Sequence, residues 1–345
     1  MGQTLKFNFE ATGIGSVPFK DAQTACDIIL KNFPAIPFWP QLARKGFLEN
    51  MYVQFSEKLP GLILDDKNKK IEIDAEKAAA GIESVYERYL ADDVEFFKIS
   101  ENYAAGFYEF LRMCSGGLPP TVKFVKGHIT GPISYALSLT TQDKKSILYD
   151  TDMYEVLTKV LVMKARWQIR KLKSCFPKVI IFIDEPSLVS IGSSYVNINP
   201  ETAFEKLDEL IKAIKDEGAL CGLHCCGNTD WPLLLKRDID ILSFDAYNFT
   251  KEMLLYSAEL KEFFRRGSAL AWGVVPTGSD AIKVETAESI ADKLRVALNI
   301  LPDKGIEKDS ASCLVTPSCG VGTLDESLAL KVFESAKRVS ELIQD

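Results

Sequence analysis

The chain has 345 residues, 47% hydrophobic and 26% charged, with a formal net charge of −7 at pH 7. That length makes one large α/β domain or two small ones, with a substantial buried core. The acidic balance excludes a nucleic-acid surface, which needs a concentrated basic face, and no apolar run approaches the length of a membrane span.

In chain order, short β-rich apolar runs predict strands over residues 11–16, 36–41, 122–129, 179–184, 220–226, 241–246, 269–275 and 313–317. Helical periodicity follows most of them, for instance over 200–217, 251–266, 287–301 and 324–343. Eight βα units in series point to a (β/α)8 TIM barrel, an α/β fold usually of about 250 residues before insertions. The excess length lies between strands 2 and 3, where the polar turn 65–70 precedes a helical stretch over 74–114. The expected organisation is therefore one domain over 1–345 with a helical insertion at about 65–118. A doubly wound open sheet is the competing topology, which strand count alone leaves open.

The start of the chain shows no apolar signal-peptide core. Eight irregularly spaced cysteines are not a disulfide framework and point to a reduced, cytoplasmic protein. The two histidines, His128 and His224, leave little room for a His-rich metal site or a Ser-His-Asp triad.

The barrel reading puts Ser16, Gln41, Thr130, Asp184, His224, Cys226, Asp245 and Cys319 at or just beyond C-terminal strand ends, where this fold builds its active sites. His224 and Cys226 share one face because strand side chains alternate, and Cys225 points the other way. With Cys319 they form one imidazole and two thiolates with a fourth position open, which is the ligand set of a catalytic zinc. Soft thiolates select zinc over magnesium or calcium, and the open position admits a substrate sulfur. Thiol activation is the chemistry such a site supports. Asp245 is a fourth, displaceable ligand, a partner of His224 or a helix cap. Asp184 suits a substrate ammonium group. Glycines 13 and 15 with Ser16 suit a carboxylate, and do not form a nucleotide phosphate loop.

Together these motifs resemble the catalytic C-terminal domain of cobalamin-independent methionine synthase, in the uroporphyrinogen decarboxylase-like superfamily. The segments are GIGSVP (13–18), MYVQFSEKLPG (51–61), KGHITGP (126–132), IDEPSL (183–188), the HxC pair and PSCG (317–320), in the family's order along nearly the whole chain. The runs HCCGNT (224–229) and LSFD (242–245) look closer still to methylcobamide:coenzyme M methyltransferases. The resemblance implies a zinc-dependent barrel that transfers a methyl group to homocysteine. His224, Cys226 and Cys319 would be the zinc ligands, and Ser16 and Asp184 would hold the carboxylate and amino ends of homocysteine. The family's zinc-site glutamate falls at Asp245 and a substrate-contacting glutamate falls near Gln41.

Two departures bear on the methyl donor. The family's full-length members carry a further N-terminal barrel that helps bind polyglutamyl folate, for which 345 residues leave no room. Their proton-delivering histidine falls within Gly273, Val274, Val275 and Pro276, where none exists. Methyl folate needs protonation of a poor amine leaving group, whereas methylcobalamin releases cob(I)alamin unprotonated. The expectation is a single-barrel methionine synthase using a methylcorrinoid, either free methylcobalamin or a corrinoid protein. The alternatives are another thiol acceptor such as coenzyme M, or a non-catalytic zinc-binding partner of a corrinoid protein.

Overall fold

The computed structural model describes residues 6–193, 196, 198–307 and 311–344. Its strands in chain order are β1 (Asn8–Ala11), β2 (Ser16–Val17), β3 (Gln41–Leu42), β4 (Leu62–Asp65), β5 (Lys70–Ile73), β6 (Val125–Thr130), β7 (Thr140–Thr141), β8 (Val179–Asp184), β9 (Leu220–Cys225), β10 (Ile241–Phe244), β11 (Ala269–Val275) and β12 (Ser312–Pro317). Seven of them make one sheet in the order β1-β12-β11-β10-β9-β8-β6, and every pairing within it is parallel. From β6 to β12 the order follows the chain without reversal, and β12 then pairs with the first strand through Glu10 on Leu314 and Ala11 on Val315. A doubly wound sheet reverses its order at a switch point, so that topology is ruled out.

The edges β1 and β6 are bridged by the segment 36–42. Phe38 pairs with Lys126, and the Lys126 amide donates to the Pro37 carbonyl at 2.9 Å. On its other side the Thr12 hydroxyl donates to the Ile36 carbonyl at 2.8 Å, and β2 pairs with β3. This curled parallel sheet is consistent with a TIM-like barrel.

The structure corrects several sequence expectations. The strand expected over 36–41 is regular only at Gln41–Leu42. Pro34, Pro37 and Pro40 remove the amide donors that a ladder requires. The first strand lies at Asn8–Ala11, and the Thr-Gly-Ile-Gly run after it separates it from Ser16–Val17. The stretch expected to be helical over 74–114 is two helices, Ala75–Leu90 and Ala105–Ser115. They are parted just after Asp92, whose φ of 51° ends the first. The polar run before them is the turn of an antiparallel β4–β5 hairpin, with β7 added at its edge, so the segment 65–118 is not purely helical. The helix expected over 251–266 is likewise two, Ala246–Met253 and Ser257–Arg265.

Inside the sheet, Phe7, Ile36, Ile180, Phe182, Ile241, Ala269, Ala271 and Leu314 form their own apolar cluster. Gly222 lies in register with Phe182 and Ile241, and a Cβ there would come within 2.2 Å of the Phe182 ring. Glycine therefore lets Phe182 fill the interior. The inward-facing polar side chains of β8, β9 and β10 lie towards their C-terminal ends, whereas Lys126 on β6, in register with Ile180, is a buried cation within the interior itself.

Glu185, just past β8, locks one such end. Its carboxylate accepts the Ile133 and Ser134 amides at 2.9 and 2.8 Å and the Ser134 hydroxyl at 2.6 Å, tying the start of helix Pro132–Ser138 to the sheet. Glu185→Ala would leave three buried donors unmet. We expect it to lower unfolding free energy by about 3 kcal/mol or more, read by chemical denaturation, with Glu185→Gln falling between it and the parent.

Among the described residues no helix is long and apolar enough to cross a membrane. All eight cysteines are free.

Candidate metal centre and its surroundings

Register brings the site together. His224 on β9 lies opposite Asp184 on β8 and Ser243 on β10, so the three side chains share the inner face. Cys226 continues that face one step beyond β9. Cys319 follows β12 by two residues, its approach fixed by the Ser318 amide donating to the Val275 carbonyl at 2.8 Å. One ligand atom from each of His224, Cys226 and Cys319 lies within 4.8 Å of the others. Among the described residues this is the one such cluster.

The chemistry of the three groups suits a metal. The Nδ1 atom of His224 is 3.0 Å from the Ser243 hydroxyl, whereas its buried Nε2 has no partner. A buried ring nitrogen without a partner is costly unless something fills it. The hydrogen bond shared with Cys319, together with the neighbouring His224 ring, pulls the Cys226 thiol below its ordinary range. The same shared bond, with burial, pushes Cys319 up. One imidazole and two sulfurs fit zinc, and a cation there would displace the thiol protons. Cys225 stands apart: it is buried on the opposite face and burial pushes its thiol up to about 12.

Asp184 is half-buried, and its Oδ1 atom has no partner. Burial pushes its carboxyl up to about 6, opposed by the neighbouring His224 ring and Lys126. Ser16 borders the Cys319 loop: a Cβ on Gly320 would lie 2.1 Å from its Oγ, and the Gly322 amide donates to that oxygen at 3.4 Å. Gln41 pairs with Ser16 through the β2–β3 ladder, and its amide donates to the Glu49 carbonyl at 2.8 Å. Asp245 is not in the three-residue cluster. It caps helix Ala246–Met253, one oxygen accepting the Asn248 amide at 3.0 Å and the other the Asn248 side chain at 2.6 Å. The Thr130 hydroxyl is likewise spent, donating to the Met51 carbonyl at 2.6 Å.

Two contributors escape a reading of sequence alone. Ser243 orients His224, yet a serine in an apolar strand gives no signal until its register is known. Lys126 is fully buried, donates to the Ile14 carbonyl at 2.5 Å and sits 4.3 Å over the Phe182 ring. Burial pushes its ammonium down to about 7, opposed by Asp184.

No protein-family model and no curated protein matches the chain. Among solved structures it is similar to a B12-independent methionine synthase from Shewanella sp. W3-18-1 in complex with selenomethionine, at 20% identity and a TM-score of 0.47. The match covers 68% of this chain and 66% of that one, just under two thirds of its length.

Proposed function

We propose that the chain is a zinc-dependent thiol methyltransferase that methylates homocysteine to methionine, taking the methyl group from a methylcorrinoid, as free methylcobalamin or on a corrinoid protein. In this reading residues 1–345 act as one (β/α)8 domain with 65–118 as an insertion, in the reduced cytoplasm where free thiols persist. The observation that carries it is the cluster of His224, Cys226 and Cys319 with the unpartnered Nε2 of His224, beside the unpartnered Oδ1 of Asp184.

Bound by those three residues, zinc would supply the positive charge that keeps an acceptor thiol deprotonated at neutral pH. The remaining work falls to the protein. Asp184 takes the ammonium group of homocysteine on its free oxygen. Ser16 takes the carboxylate, with Gln41 holding the neighbouring strand end. Ser243 keeps the His224 ring turned so that Nε2 faces the ligand position. Asp245 joins as a fourth donor if its bonds to Asn248 yield, and otherwise caps its helix. In the transfer, the acceptor sulfur forms a bond to the methyl carbon while the cobalt–carbon pair returns to cobalt, leaving cob(I)alamin. No proton is needed at the leaving group, which accords with a β11 end, Gly273 to Pro276, that carries no acid. Coenzyme M takes second place as acceptor because it has no ammonium group for Asp184.

The test is methionine formation by zinc-loaded protein and homocysteine, with methylcobalamin in one reaction and 5-methyltetrahydrofolate in another. Product with methylcobalamin alone is expected. Product with the folate would overturn the donor. Product with neither, while coenzyme M is methylated, would overturn the acceptor, and no methylation of any thiol would leave a non-catalytic corrinoid-protein partner.

A further inference from the structure

Of the chain's two histidines, His128 is the one the metal centre does not use. It lies on β6 in register with Phe182, two residues before Thr130, which pairs with Asp184. A Cβ on Gly127 would collide with Gln168 of the outer helix Thr151–Lys173, so Lys126 and His128 on either side of it face inward. His128 is 2% exposed, and neither of its ring nitrogens has a partner. Burial, with Lys126 adding to it, pushes the imidazole well below its ordinary range. It is therefore a neutral ring with one N–H to give, and a buried donor left unmet is destabilising. A phenyl ring would fill the same space without that penalty.

The ring is held against the turn that presents Ser16. It stacks on Trp39 with ring centroids 3.9 Å apart. Trp39 Nε1 donates to Gln168 Oε1 at 2.8 Å, and Gln168 Nε2 donates to the His128 carbonyl at 3.0 Å, which locks the stack in place. On the other side a Cβ on Gly15 would come within 2.9 Å of Nδ1, so glycine is what brings the backbone next to Ser16 up to the imidazole. Lys126 donates to the Ile14 carbonyl at 2.5 Å, and the Gln41 amide donates to the Gly15 carbonyl at 3.0 Å. β6 thus stands between the Ser16–Gln41 strand pair and Asp184 on β8, the proposed carboxylate and ammonium ends of the acceptor. Lys126 adds a buried ammonium on the same face, and a carboxylate is the ligand group that such a donor and such a charge both favour.

We propose that His128 is a specificity-determining residue whose ring N–H donates to the acceptor's carboxylate beside Ser16, so that the site selects α-amino acid thiols over thiols that carry an amine alone. The assignment rests on the homocysteine reading, and its test runs without turnover. Zinc-loaded protein, isotopically labelled in its two imidazole rings, is titrated with homocysteine and with 3-aminopropane-1-thiol, which differs from it only in lacking the carboxylate. Nitrogen NMR and calorimetry are read on the same samples, His224 being told from His128 by its response to zinc. Homocysteine should bind the more tightly and move a His128 ring-nitrogen resonance that the amine thiol leaves in place. The H128F variant, which keeps the stack on Trp39, should weaken homocysteine by about ten-fold or more, with zinc content and amine-thiol binding unchanged. H128Q, which retains a donor, should fall between. A His128 resonance that ignores homocysteine or answers both thiols alike overturns the proposal, and so does an equal loss for both thiols in H128F; the NMR arm decides even where a variant does not fold. If the methyl-transfer reading alone fails, His128-dependent binding persists without methylation. If this inference alone fails, H128F methylates homocysteine with an unaltered KM.

Discussion

Replacing Cys319 with serine is expected to remove zinc and methyl transfer together. A serine hydroxyl occupies nearly the same place but does not ionise at neutral pH and is a hard donor, so the site loses one of its two soft anionic ligands. The loss should exceed the roughly 10–100-fold in metal affinity that follows from removing a group which merely orients a ligand. Ser243→Ala supplies that lesser case, because it takes the partner at 3.0 Å from His224 Nδ1 and leaves all three ligands in place. Cys225→Ala supplies the control, since Cys225 is buried and faces away from the cluster. Bound zinc per chain and the rate of methionine formation, measured on the same samples, should fall in the order Cys225→Ala, Ser243→Ala, Cys319→Ser. A Cys319→Ser protein that kept full activity without metal would remove the thiolate from the centre.

How much of this could be read from the chain depends on how local each feature is. Strand alternation alone puts His224 and Cys226 on one face and Cys225 on the other, because the period of two is a property of the backbone. Cys319 is legible by its place just past the last strand, since a barrel gathers every strand's C-terminal end into one rim. Ser243 and Lys126 are not legible in the same way. The first acquires its role from register with His224, a fact about two strands. The second stands in an apolar run where either face is plausible, and only the closing segment 36–42, with its bridge to Lys126, buries it. That segment is also where the strand reading holds only in part, because its prolines lack amide donors and leave the Phe38–Lys126 bridge and the short strand Gln41–Leu42 in place of a continuous ladder. Asp245 illustrates the opposite difficulty. Its position allows a ligand and a helix cap equally, and only the two bonds to Asn248 distinguish what it does in this structure.

The Asp184→Asn variant is expected to raise the homocysteine KM by roughly 10- to 150-fold while kcat changes little, the range that corresponds to losing one hydrogen bond to a charged group. The argument starts from the buried Oδ1 atom, which has no donor in the free protein and is matched by an ammonium that brings both hydrogen and charge. Asparagine keeps the shape and loses the charge, so the acceptor binds less well. The sulfur, methyl carbon and leaving group are untouched, and uniform binding lost in this way appears in KM. Coenzyme M provides the internal comparison. It has a thiol and no ammonium, so any residual methylation of it should be indifferent to the substitution, or improve once a carboxylate no longer faces its sulfonate. The variant should also bind zinc as the parent does, because Asp184 is outside the ligand cluster. An unchanged homocysteine KM with zinc retained would strip Asp184 of its amino-binding role. It would make coenzyme M and other thiols without an amino group equal contenders for the same metal centre.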